Sequence, residues 1–113
     1  MLCTVVSLLV AICGADSLVA GPVELVAEGF QFTEGPVWHP TGRFLLFSDM
    51  PGDHLRRWSA TDGVTTFRKP CNMSNGNTYD REGRLLTCEH ASSRVTRTER
   101  DGAVVPIATH FEG

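Results

Sequence analysis

Several large functional classes leave no mark on this chain. Its ten basic residues are scattered among thirteen acidic ones for a net charge of −3, so there is no electrostatic footprint for nucleic acid. The longest apolar run, Leu2–Cys13, is too short for the roughly 20 residues of a membrane-spanning helix. No Cys-x-x-Cys pair offers metal-ligand spacing, and no Gly-x-Ser-x-Gly marks a serine nucleophile on a strained turn. Beyond that first run, no stretch of ten residues repeats apolar positions at helical spacing. What remains is an all-β chain, and its 11 glycines and six prolines suit many tight turns.

Leu2–Cys13 fits the apolar part of a signal peptide, with Cys13-Gly14-Ala15 or Leu18-Val19-Ala20 as the small-residue cleavage site. No Lys or Arg precedes it, which leaves an unprocessed start as the alternative. We therefore expect residues 1–20 to be a leader, and the protein to be periplasmic or secreted, with a cytoplasmic location as the alternative. Ile12 is too bulky for Cys13 to suit lipid attachment. Removing a leader takes Cys3 and Cys13 with it and leaves Cys71 and Cys88, whose spacing supports free thiols over a bridge.

The stretch Phe32-Thr33-Glu34-Gly35-Pro36-Val37-Trp38 begins a design that returns 41 residues later. Placing Glu34 over Asn75 brings Gly35 to Gly76, Trp38 to Tyr79, Gly42-Arg43 to Gly83-Arg84 and Leu45-Leu46 to Leu85-Leu86. With two single-residue gaps, Asp49 meets Glu89, Arg57 meets Arg97 and Gly63 meets Gly102. Units of about 40 residues with several strands each point to propeller blades, which bury their faces against their neighbours. We place the units at about 34–70 and 75–111 within a domain of residues 21–113. Four antiparallel strands are expected in each, with Asp62-Gly63 a strong hairpin signal and Val23–Ala27 a short strand ahead of the first unit. Two blades leave two faces uncovered, so the chain reads as the beginning of a longer propeller, inactive and prone to associate by itself.

In a propeller the entry to each innermost strand faces a central channel. Glu34 and Asn75 share that position, and converging oxygen donors of this kind suit a hard cation such as Ca²⁺ or a polar substrate. The plainer alternative makes both of them turn residues. His39 and His90 fall in turns, Trp38 and Tyr79 read as packing between blades, and Asp49 and Glu89 as carboxylates capping backbone N–H groups.

The string F-Q-F-T-E-G-P-V-W-H-P-T-G, then L-L-F-S-D, then N-G-N-T-Y-D-R-E-G-R-L-L-T-C-E-H, closely resembles the start of the senescence marker protein/gluconolactonase family. The resemblance covers Val23–Gly113. It implies the first two blades of a six-bladed β-propeller and a metal-dependent hydrolase that opens sugar lactones. By the same resemblance Glu34 is a metal ligand, Asn75 and Asn77 are substrate-contacting candidates, and the cofactor is a divalent ion, Ca²⁺ foremost, with Mg²⁺, Zn²⁺ or Mn²⁺ as alternatives. The family's other ligands and the general base belong to later blades. Two rival readings keep the blade repeat: a non-catalytic binding propeller, and a propeller hydrolase of phosphoesters or organophosphates.

Overall fold

A computed structural model describes residues 21–110. The expected leader lies outside the described residues. Eight strands follow one another: β1 (Thr33–His39), β2 (Phe44–Asp49), β3 (His54–Ser59), β4 (Gly63–Arg68), β5 (Ser74–Tyr79), β6 (Leu85–Glu89), β7 (Arg94–Thr98) and β8 (Val104–Ala108). They form two four-stranded antiparallel meanders, β1-β2-β3-β4 and β5-β6-β7-β8. Each is one blade. No helix among the described residues is long and apolar enough to cross a membrane.

The repeat seen in the residues is a repeat of hydrogen-bond register. Trp38 pairs with Leu45 as Tyr79 pairs with Leu85, and Leu46 pairs with Arg57 as Leu86 pairs with Arg97. Both inner pairs carry an irregularity within one residue of the same place, between Glu34 and Val37 in blade one and between Ser74 and Asn77 in blade two. The outer pairs differ from the sequence match in one respect. Aligning Gly63 with Gly102 implies a shifted outer strand, yet Val64 pairs with Trp58 as Val104 pairs with Thr98. The two outer turns are therefore equal in length, with Gly63 opposite Ser59 as Ala103 is opposite Glu99, whose N–H donates to the Ala103 carbonyl at 2.7 Å, and the second gap is not needed.

Val23–Ala27 is not a strand. A strand needs an edge to pair with, and the described residues offer none there, so Val23, Leu25 and Val26 stay exposed. The segment is tied down further along, where the backbone N–H groups of Gln31 and Phe32 donate to Asp49 Oδ1 at 3.0 and 3.1 Å.

Side chains alternate across each strand, which gives each blade two faces. Leu46 and Leu55 of blade one meet Leu85 of blade two and Cys71 of the connection, with Val37, Phe44 and Tyr79 at the margin. This interface is the core. Tyr79 packs between the blades as expected. Its equivalent Trp38 does not pack between these two blades, because it lies on the far face of blade one, where it is 47% exposed among the described residues. Cys71 is buried, Cys88 is exposed on the far face of blade two, and both thiols are free.

Candidate functional site

The site begins at a bulge in β1. Gly35 adopts φ +57°, a left-handed conformation that glycine enters at little cost, and Pro36 has no N–H for the ladder. Register therefore slips by one residue between Glu34 and Val37, and bulges of this kind re-aim a side chain. A Cβ on Gly35 would lie 1.8 Å from the carbonyl oxygen of Asn75. Only a glycine lets the two inner strands approach so closely.

Glu34 sits at the strand entry, half-buried, its backbone opposite Ser48. Among the described residues no hydrogen bond or ion pair engages its carboxylate. The blade-two equivalent, Asn75, is also half-buried. Its Oδ1 accepts from Gly76 N–H at 2.7 Å, while its carbonyl accepts from Ser48 Oγ at 3.1 Å. Asn75 lines a concavity of roughly 520 Å³ together with Glu89, His90, Arg94 and His110.

Asn77 has a different job. Its Nδ2 donates to the carbonyl of Gly35 at 3.0 Å and to Ser48 Oγ at 2.9 Å, and its Oδ1 accepts from Thr87 Oγ1 at 3.1 Å. The amide is a clamp that ties the second inner strand to the bulge of the first. Three expected site residues thus lie along the two inner strands, but the structure commits Asn77 to the fold and leaves the carboxylate of Glu34 uncommitted.

The two buried strand-end carboxylates are occupied. Asp49 is 2% exposed and accepts the Gln31 and Phe32 N–H groups, as a capping carboxylate should. Glu89 is buried too, but its partners are side chains: Asn72 Nδ2, Ser92 Oγ and Arg94 Nε on one oxygen at 2.7–3.0 Å, and Thr96 Oγ1 on the other at 3.1 Å. Burial alone would raise its pKa, but the bonds from Ser92, Arg94, Thr96 and Asn72 outweigh it and hold the carboxyl below its usual range. His39 is a turn lock, with Nδ1 accepting from Gly42 N–H at 2.9 Å and the ring stacked on Phe44.

Sequence reasoning missed Asp53. Its Oδ1 accepts the backbone N–H groups of Met73 at 2.7 Å and Cys71 at 3.0 Å, pinning the connection between blades. The Met73 N–H is the main cause that lowers its pKa. Nothing local in the sequence singled it out, since Gly52-Asp53 reads as a plain turn; the structure places Asp53 at a left-handed φ of +51°, which Asp and Asn tolerate better than most residues.

Known proteins match this chain at both the sequence and the structural level. The family described as SMP-30/Gluconolactonase/LRE-like region matches residues 32–113. The chain belongs to this family. A gluconolactonase from Zymomonas mobilis is 48% identical over 52 residues, which are 46% of this chain and 15% of that protein. A solved structure provisionally named a gluconolactonase superposes with a TM-score of 0.72 at 34% identity, over 78% of this chain and 31% of its own. A Xanthomonas campestris gluconolactonase, described as important in glucose secondary metabolic pathways, gives 0.69 at 30% identity, over 74% and 28%. The chain therefore spans less than a third of the length of each of these SMP-30/gluconolactonase relatives, and its two sheets are blades of their propeller.

Proposed function

We propose that this chain contributes two blades and one cation-binding carboxylate to a metal-dependent hydrolase that opens sugar lactones. The observation that carries this reading is the Glu34 carboxylate, aimed by the Gly35-Pro36 bulge at an inner-strand entry and left without a partner among the described residues, in a family whose relatives are named gluconolactonases.

Glu34 suits a hard divalent ion in type, since Ca²⁺ and Mg²⁺ take oxygen ligands. It does not suffice in number. Ca²⁺ takes roughly six to eight oxygens, and the described residues hold no group of three or more His, Cys, Asp or Glu that could bind a metal. Glu34 is thus one ligand of a site completed by groups outside them. A bound divalent ion would supply Lewis acidity toward a lactone carbonyl. This chain's own part is to fix the backbone that carries the carboxylate. The Asn77 clamp fixes the Gly35 carbonyl, the bulge fixes Glu34, and Asn75 offers a neighbouring amide to a polar ligand.

The test is hydrolysis by the full-length gene product of D-glucono-δ-lactone and of an aryl phosphoester, each with and without EDTA. Lactone opening that EDTA abolishes and a divalent ion restores is the expected result. Cleavage of the phosphoester alone would move the assignment to the phosphoesterase reading, and activity on neither would favour a binding propeller.

A further inference from the structure

Ser48 is 0% exposed, and its hydroxyl lies inside the joint between the two blades, in contacts that these two blades make by themselves. A hydroxyl carries one proton and two lone pairs. Ser48 Oγ donates to the Asn75 carbonyl at 3.1 Å, accepts from Asn77 Nδ2 at 2.9 Å and lies 3.1 Å from Ser74 Oγ. All three partners belong to β5. Ser48 itself pairs with Glu34 in the β1–β2 ladder, so one residue faces Glu34 through its backbone and grips the other inner strand through its side chain.

The blade repeat does not account for this hydroxyl. By strand register the blade-two counterpart of Ser48 is Cys88, a thiol, which hydrogen-bonds only weakly. Asn77 falls on Pro36 when Glu34 is laid on Asn75, and proline has no side-chain amide. Both sides of the contact therefore stand where the two blades differ. The apolar part of the joint is supplied by Leu46, Leu55, Cys71 and Leu85, and burying polar groups among them is costly unless each is paired. What those apolar side chains do not supply is a fixed offset between the two inner strands, and a hydrogen bond to one particular carbonyl does.

We propose that Ser48 is a positioning residue for the candidate site: its hydroxyl holds the Asn75 carbonyl at a fixed offset from Glu34, and so places the Asn75 amide where a ligand bound beside Glu34 meets it. This rests on the lactone-hydrolase reading, in which Asn75 contacts the substrate. Glu34 keeps its own supports without the hydroxyl, because the β1–β2 ladder and the bond from Asn77 Nδ2 to the Gly35 carbonyl at 3.0 Å do not pass through it. Loss of the hydroxyl thus disturbs the substrate side and spares the cation side.

The experiment is a double-mutant cycle in the full-length gene product, with Ser48→Ala, Asn75→Ala and both, assayed on D-glucono-δ-lactone. Ser48→Ala should raise KM about tenfold, the lower end of what losing a supporting hydrogen bond costs, and leave Ca²⁺ affinity by calorimetry unchanged. In the Asn75→Ala background it should add nothing further, because residues that act through one contact are not additive. Ser48→Cys, nearly isosteric, should fold even where Ser48→Ala does not, and fall between it and wild type. Additive effects would make Ser48 a general support of the fold, and a matching loss of Ca²⁺ affinity would place its action at Glu34; either result overturns the proposal.

A second readout needs no turnover. Asn75 Oδ1 accepts from Gly76 N–H at 2.7 Å, so the Gly76 amide resonance reports on the Asn75 side chain, and Ser48→Ala should shift it. A Gly76 signal that does not move overturns the positioning whether or not the wild type opens lactones, whereas a wild type that opens none overturns only the hydrolase reading.

Discussion

Gly35 has no room for a side chain, and that fact connects the fold to the candidate site. Any Cβ would collide with the Asn75 carbonyl at 1.8 Å, on a backbone already at φ +57°. Gly35→Ala should therefore force the inner strands apart and destabilise by at least about 1–3 kcal/mol, the usual cost of a strained backbone position, read as a lower urea midpoint. An unchanged midpoint would show that the strands tolerate separation. Tyr79 carries the opposite prediction. Its hydroxyl is buried with no hydrogen-bond partner among the described residues, and burial pushes its pKa up to about 12. Tyr79→Phe should raise stability by up to about 1 kcal/mol, because an unmade buried hydrogen bond costs more than an absent one; a loss would mean the hydroxyl has a partner. At this scale the sequence was partly legible. Glu34 and Asn75 stand out because repetition places them at one position. The clamp formed by Asn77 was invisible, since its partners Gly35, Ser48 and Thr87 come from three different strands.

Among the elements, alternation and turn chemistry announced the eight strands, because most of the turns hold Pro, Gly, Asn or Asp, and the one between β6 and β7 holds Ser92-Ser93. Val23–Ala27 shows the limit of that reading: a suitable pattern makes no strand without an edge to join. The connection between blades was equally hidden. It is held by Asp53, whose carboxylate the N–H groups of Met73 and Cys71 keep below the ordinary value of 3.8. A carboxylate depressed in the folded state contributes its stability above the unfolded pKa and loses it as pH falls through the folded one. Asp53→Asn, which keeps an acceptor oxygen but no charge, should be less stable than wild type at neutral pH, and the gap should close as pH falls from roughly 5 to 2. Urea midpoints at several pH values check this; a gap that is constant with pH would mean that the charge of Asp53 does not matter. Edge strand β8 has Pro106 within its ladder with Thr96, a residue that suits sheet edges because it offers no N–H to a further strand.

For the whole molecule, the 41-residue repeat made the architecture legible in the amino-acid order itself, because two multi-stranded units that bury their faces on each other lead directly to stacked blades. The direction of each face was less so. Trp38 and Tyr79 occupy equivalent positions, yet one is exposed and the other packed, since the described residues contain a neighbour on only one side of each blade. The same one-sidedness leaves the Glu34 carboxylate uncommitted among the described residues, at the position where we propose that a divalent cation is held. Whether Glu34 is a ligand for a divalent cation is decided by calorimetric titration of Ca²⁺ into metal-stripped full-length gene product and its Glu34→Gln variant. Saturable binding by the wild type is expected, with affinity lower by about 10-fold or more in the variant, in line with the roughly 2–5 kcal/mol lost when one partner of a buried charge pair is truncated. Equal affinity in the two proteins would remove Glu34 from the metal site, and with it the main support for a cation in this propeller's channel.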